Sequence, residues 1–275
     1  MFGLIKKKYI DSYYRYGFSN LVNRLLSKLK IRLRLKDDIF KKRIYLSKKI
    51  NEICDGMVID GVYKGTKLVY SSDYFMTKPA YLLGCYEKEV QEIIFKISNE
   101  KKLENFINVG AGEGYHSVGA MNLNLFNISI SFELDKKNIE IIKQNFNLNG
   151  IYNSFKIYEK ADIKFLNLLN DIELSKSLFL FDIEGDEFHI LNEKNLNLLK
   201  NSYLIVEIHD FYSKPDIVKN FEKNLKKFFS IYKITTQNRN FTKFKILDKF
   251  NDDEKWLMMS ESRSSTMKWL VCEPL

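Results

Sequence analysis

Apolar residues between positions 105 and 236 fall into short continuous runs separated by stretches of helical spacing. The runs at 105–110, 127–133, 154–159, 177–182 and 203–208 have the length of buried strands. Between and after them, over 115–124, 136–147, 164–173, 187–199 and 216–229, apolar positions recur every three or four residues, which predicts helices. Strand–helix alternation at this spacing implies an α/β domain with a parallel, doubly wound sheet and helices on both faces. Right-handed crossovers then bring the carboxyl ends of the strands to one edge. Two final strands, 231–236 and 267–273, flank a short helix at 252–259. Upstream, Tyr86 to Ile97 reads as an amphipathic helix. Residues 57–83, broken by Gly61 and Gly65, read as a β-hairpin. Leu21, Val22, Leu25 and Leu26 have helical spacing within Phe18–Leu26, with Ser19 as a cap, and Leu29 to Lys36 alternates strictly, as a strand does. This divides the chain into an extension, 1–82, helical and then hairpin, and a main domain, 83–275.

The first of the five strand runs leads into Asn108-Val109-Gly110-Ala111-Gly112-Glu113-Gly114-Tyr115. A strand that turns into a helix through glycines lets backbone N–H groups approach a ligand closely. The next strand run ends on Glu133, nineteen residues after Gly114. A carboxylate there can accept both ribose hydroxyls of a nucleoside cofactor. The competing reading is a structural glycine turn with no ligand.

Charge is distributed unevenly. Residues 1–50 hold 15 Lys/Arg against 3 Asp/Glu, a net of +12, while the whole chain is +9, so residues 51–275 sum to −3. A nearly neutral main domain argues against nucleic acid as the substrate, since such enzymes carry a basic face around the site. No apolar run approaches the ~20 residues that span a bilayer. No leader pattern follows the basic start. Cys54, Cys85 and Cys272 are odd in number and without zinc spacing, as expected of free thiols in a reducing compartment. The expected location is the cytoplasm, with the inner face of the membrane as a candidate surface for residues 1–50. A pathway enzyme or a second subunit is the other candidate partner, and a basic cap over the core is the plain structural alternative.

Further phrases extend the glycine motif into a resemblance. Leu83-Gly84-Cys85-Tyr86-Glu87-Lys88-Glu89 precedes it. Phe181-Asp182-Ile183-Glu184-Gly185-Asp186-Glu187 and Val206-Glu207-Ile208-His209-Asp210 end the fourth and fifth strands, and Ser260-Glu261-Ser262-Arg263 leads to Met267-Lys268-Trp269. In order and spacing, over residues 83–270, these phrases resemble the FkbM-like branch of class I S-adenosylmethionine (SAM) methyltransferases. The resemblance implies a Rossmann-like, mostly parallel sheet with an antiparallel strand near the C-terminus, and SAM as cofactor. It places the cofactor on Asn108, Gly110, Ala111, Gly112, Gly114, Tyr115, Glu133 and Asp182, with Asp162 at the adenine. Asn108 departs from the acid that many relatives carry at this position. For Asp162, a helix cap is the competing reading.

Asp182 and Glu184 alternate at the end of a strand run, so an extended segment would point both the same way. Such a pair can bind a hydroxyl, raise each other's pKa or hold a divalent cation. His209, at the same edge, is the candidate general base, with a core histidine as the alternative. His116 and His189 read as packing or surface residues. Tyr86, Glu87 and Arg263 are assigned to the acceptor side, Arg263 as a fork for an anionic group such as phosphate or as an ordinary salt bridge. The implied function is O-methylation of a hydroxyl on a sugar or sugar-nucleotide in surface polysaccharide biosynthesis. N- or C-methylation of another small molecule, and a non-catalytic docking module retaining the fold, are the alternatives.

Overall fold

The computed structural model describes residues 38–70, 77–209, 215–263 and 265–275. The expected helix at Phe18–Leu26 and the strand at Leu29–Lys36 lie outside the described residues. The chain divides into two units, Met1–Leu46 and Ser47–Leu275. Helix α1, Asp38–Cys54, starts in the first and ends in the second. Within the second unit, Val58, Tyr63 and Leu68 are buried in the core. Tyr63 lies against Gly119, where a Cβ would sit 2.4 Å from its ring. Val58, Tyr63 and Leu68, which the sequence reading places in the extension, thus pack into the core of the second unit. Among the described residues of 57–83 there is no hairpin: one isolated antiparallel bridge, Met57 to Lys67, closes a turn, and α2 is Lys78–Leu82.

From α3, Lys88–Lys101, the alternation read from the sequence is observed. The strands are β1 (Asn105–Val109), β2 (Ile128–Phe132), β3 (Phe155–Tyr158), β4 (Ser177–Phe181), β5 (Tyr203–Glu207), β6 (Phe229–Thr235) and β7 (Lys268–Pro274). Their order in the sheet is β3-β2-β1-β4-β5-β7-β6. The first five are parallel, and β7 runs antiparallel to both β5 and β6. The helices are α4 (Tyr115–Asn122), α5 (Lys136–Leu148), α6 (Glu187–Ile190), α7 (Glu193–Leu199), α8 (Pro215–Leu225) and α9 (Asp252–Met259). Two expected helices differ. Residues 164–173 make only a 3₁₀ segment, Phe165–Leu169. Residues 187–199 form two helices, because the Asn192 side chain accepts from Lys194 and Asn195 N–H and starts a new one.

Strand alternation builds two cores. Phe106, Leu178, Leu180, Ile205, Trp269 and Val271 face one layer of helices; Ile107, Val109, Phe179, Phe181, Leu204 and Val206 face the other. Both β1 and β4 are buried along their whole length, so their sequences show no polar face. Each such side chain contributes roughly 1.5–3 kcal/mol by leaving water. Register then fixes the site: Val109 lies beside both Phe132 and Phe181, and Phe181 beside Val206. The residues that follow these positions meet at one edge, at the reversal of strand order between β1 and β4. Among the described residues, no helix is long and apolar enough to cross a membrane.

Candidate active site

A cavity of about 380 Å³ opens over this edge, lined by the Asn108–Glu113 turn, Glu133, Asp182 and Arg263 among others. Gly110, Gly112 and Gly114 all have positive φ, at 88°, 55° and 84°. At Gly110 the need is also steric: a Cβ would sit 1.7 Å from the backbone oxygen of Asp182. The turn after β1 thus presses on the end of β4, and only glycine permits it. Glu133 braces the turn, its Oε2 accepting from Gly112 N–H at 2.7 Å and its Oε1 from Asp135 N–H at 2.8 Å. Asn138 Nδ2 also donates to Oε1, at 3.5 Å, and since a carboxylate accepts about four hydrogen bonds, capacity remains on Oε2.

Asn108 donates from Nδ2 to Ser117 Oγ at 3.0 Å, while its buried Oδ1 has no partner. A buried carbonyl oxygen on a cavity wall is costly unless something donates to it. Tyr115 and Ala111 also line the cavity, Tyr115 stacked on Tyr81 with centroids 4.6 Å apart. Asp162 is absent from the lining. Its exposed carboxylate accepts from Lys164 N–H at 2.7 Å in a local turn just ahead of the 3₁₀ segment, and Lys160 and Ala161 line the wall.

Asp182, Glu184 and His209 come together, by a different geometry from the one expected. Strand β4 stops at Phe181, and Glu184 and Gly185 turn the chain with φ of 54° and 108°. The two carboxylates converge through a turn, not along an extended segment. His209 is buried. Its Nε2 lies 3.5 Å from Asp182 Oδ1, 3.6 Å from Glu184 Oε2 and 3.7 Å from Glu207 Oε1. Its other ring nitrogen, Nδ1, is 3.1 Å from Oε1 of the fully buried Glu187, which also accepts from His209 N–H and, at Oε2, from Gly185 N–H. Glu187 ties the turn after β4 to the end of β5 and leaves Nε2 to Asp182 and Glu184; these two line the cavity, and His209 lies behind them, outside the lining.

Burial and the neighbouring acids shift these groups. Burial raises Asp182 to about 6, against the lowering influence of His209 and with help from Glu184 and Glu187. Glu207 is pushed well above the carboxylate range by burial and by Asp182. Burial pulls His209 down, but the Glu187 hydrogen bond and the charges of Asp182, Glu187 and Glu184 outweigh it and hold the imidazole above its ordinary value. One donor atom each from Asp182, Glu207 and His209 lie within 4.8 Å of one another, a set that could hold a cation.

Arg263 does not extend a free fork. It donates to Glu207 at 2.6 Å, to Glu261 at 3.1 Å, to Tyr86 Oη at 3.2 Å and to Glu87. Glu87 is in turn held by His116 Nε2 at 2.8 Å, and Tyr63 Oη meets His116 Nδ1 at 3.1 Å. Burial drives His116 down to about 4, so this histidine is neutral. It is a wall residue of the site and not mere helix packing; His189 is exposed. Glu187, Glu207 and Glu261 were present in the quoted phrases without a role. A glutamate at the end of the otherwise apolar run Tyr203–Val206 was the available signal.

The sheet order, with β7 alone reversed, is the Rossmann-like methyltransferase fold. No family model matches the chain, and no curated protein matches it. Solved structures do. The O-methyltransferase TomG from Streptomyces achromogenes, involved in tomaymycin synthesis and solved with SAM, has 8% identity over 92% of this chain and 96% of that one, with a TM-score of 0.45. An O-methyltransferase from Bacillus cereus in complex with SAH has 9% identity over 92% and 97%, with a TM-score of 0.45. The precorrin-6y C5,15-methyltransferase from Geobacter metallireducens has 11% identity over 67% and 89%, with a TM-score of 0.44.

Proposed function

We propose that this chain is a SAM-dependent methyltransferase of the FkbM-like kind, acting on a hydroxyl of a sugar-type acceptor. The carrying observation is the cavity over the glycine turn, with the braced Glu133 on one wall and the unpartnered Asn108 Oδ1 on another. These groups fit SAM: Glu133 has acceptor capacity for ribose hydroxyls, and Asn108 Oδ1 offers an acceptor to an ammonium group. When bound, SAM supplies an electrophilic methyl on a positive sulfonium. The acids around the cavity favour that charge. His209 handles the proton: Glu187 holds Nδ1, so Nε2 is turned to Asp182 and Glu184, which line the cavity, and takes up the hydroxyl proton there. Asp182 and Glu184 stabilise the imidazolium that results. Calorimetry is expected to show Glu133→Ala weakening SAM binding at least about tenfold, roughly 1.4 kcal/mol. Unchanged affinity in a folded variant would refute the cofactor assignment.

One observation favours a second reading of the same residues. Distances of 3.5–3.7 Å from His209 Nε2 to three carboxylates are long for hydrogen bonds. They suit ligands of one cation with bonds of ~2.0–2.2 Å. In that reading His209 is a ligand and not the base. Activity lost in chelator and restored by Mg²⁺ or Mn²⁺ establishes it; full activity in chelator leaves His209 as the base.

A further inference from the structure

A second cavity, about 280 Å³, adjoins the first and has no part in the function proposed above. The loop after β6, helix α9 and the segment leading into β7 enclose it, with Gln237, Asn238, Arg239, Trp256 and Ser260 on its walls. Arg263 lines both cavities, so the two are neighbours on either side of it. We propose that this second cavity is the acceptor subsite, and that it takes an uncharged, hydroxyl-bearing ring seated on the indole of Trp256. The inference rests on the methyltransferase reading and adds to it the place, the charge and the platform of the acceptor.

Charge selects the ligand. Arg239 is held by Glu89 and Glu261, and Arg263 by Glu87, Glu207 and Glu261. Two guanidinium groups thus meet four carboxylates, whose side chains are at most 6% exposed. A phosphate placed here finds no positive charge to spare and adds to an existing negative surplus, which favours the salt-bridge alternative for Arg263 over an anion-binding fork. An amine fares no better as an acceptor, because the surplus keeps it protonated and without a lone pair. A neutral hydroxyl meets neither obstacle.

The walls suit such a ring. Trp256 is 53% exposed, unusual for the largest side chain on a cavity wall. Phe241 meets it edge to face, centroids 4.9 Å apart at 89°. Whichever ring supplies the edge, Phe241 leaves at least one indole face uncovered. A flat apolar face beside amides and hydroxyls matches a ring with C–H faces and an O–H rim. Gln237 and Asn238 carry the amides, Thr236, Ser260 and Ser265 the hydroxyls. The wall also holds a buried donor without an acceptor, the Nε–H of Arg239, and a ligand hydroxyl is the kind of group that satisfies it.

The chain has two tryptophans, and Trp269 is fully buried, so acrylamide quenching of fluorescence in the full chain reports on Trp256. The probes are neutral methyl pyranosides of glucose, galactose, mannose, rhamnose and N-acetylglucosamine, with galactose 1-phosphate as the charged control. At least one neutral glycoside is expected to shield Trp256 saturably, and the phosphate ester is expected not to. In Gln237→Ala/Asn238→Ala the concentration for half-shielding is expected to rise at least about tenfold. No shielding by any neutral probe up to about 100 mM, far above the ordinary range of weak ligands, overturns the subsite. Equal shielding by the phosphate ester overturns its charge selectivity. SAM calorimetry on the same sample separates the two ideas. SAM binding with an unshielded Trp256 sinks only the subsite, whereas absent SAM binding sinks the methyltransferase reading beneath it.

Discussion

Replacing His209 by alanine is expected to lower turnover by about 10²–10⁴-fold while SAM affinity changes little, because a positioned base contributes on that scale. The residue is suited to the role by its wiring. Glu187 occupies Nδ1 at 3.1 Å, and three carboxylates surround Nε2. Those carboxylates also set the pH dependence. They hold the imidazole above its ordinary value against the pull of burial, so the free protein carries it protonated through the weakly acidic range. A base must be deprotonated to act. The rate should therefore climb as pH rises through and beyond the usual imidazole range, then level. The measurement is kcat/KM against pH, with SAM binding followed separately by calorimetry. A variant that keeps near-normal turnover would move the proton to Asp182, whose own pKa of about 6 leaves it able to act.

The largest stability effect is expected at Arg263. Its guanidinium is one-fifth exposed, but its partners Glu87, Glu207 and Glu261 are all buried. Arg263→Ala removes the cation and leaves the carboxylates, and stripping one partner from a buried pair costs about 3–5 kcal/mol. The sign of the pH effect follows from the acids. Burial raises Glu207 and Glu261, the latter to about 6, and loss of Arg263 raises both further. An acid whose folded pKa is raised destabilises the fold above that pKa and is harmless once protonated, below its unfolded value of ~4.3. The deficit should be large at pH 8 and shrink as pH falls through 6 toward 4. Thermal unfolding of both proteins across that range checks it. A deficit that stays constant with pH would show that Arg263 acts by packing alone.

Much of this site could be read from the chain because its signals are local. Gly110 to Gly114 and Glu133 are each a few residues from a strand end, and strand ends of a doubly wound sheet share an edge. That places Asp182 and His209 near the glycine turn before any coordinate is known. The packing of Val58–Leu68 was not legible, because a short broken apolar stretch says nothing about what it packs on. Its place is decided by Tyr63 against Gly119 and against His116, residues more than fifty positions away. Asp162 stayed open between adenine contact and cap for a related reason: the sequence does not say which way an exposed carboxylate turns, and in the fold it accepts from Lys164 N–H.

The sequence by itself determined the order of strands and helices, the buried identity of β1 and β4, and the edge at which function gathers. Those follow from periodicity and turn chemistry, which act over a few residues. Only the tertiary structure decided which charge answers which. Arg263 meets Glu207 across 56 positions and Glu87 across 176, and Arg239 meets Glu89 across 150. Nothing local distinguishes these arginines from surface ones. Their partners are chosen by where separate loops end over the sheet, and burial there makes each pairing obligatory, because an unpaired charge out of water is too costly to keep. That pairing ties Arg263, which the sequence left open as a phosphate fork, into the same buried carboxylate network as Arg239.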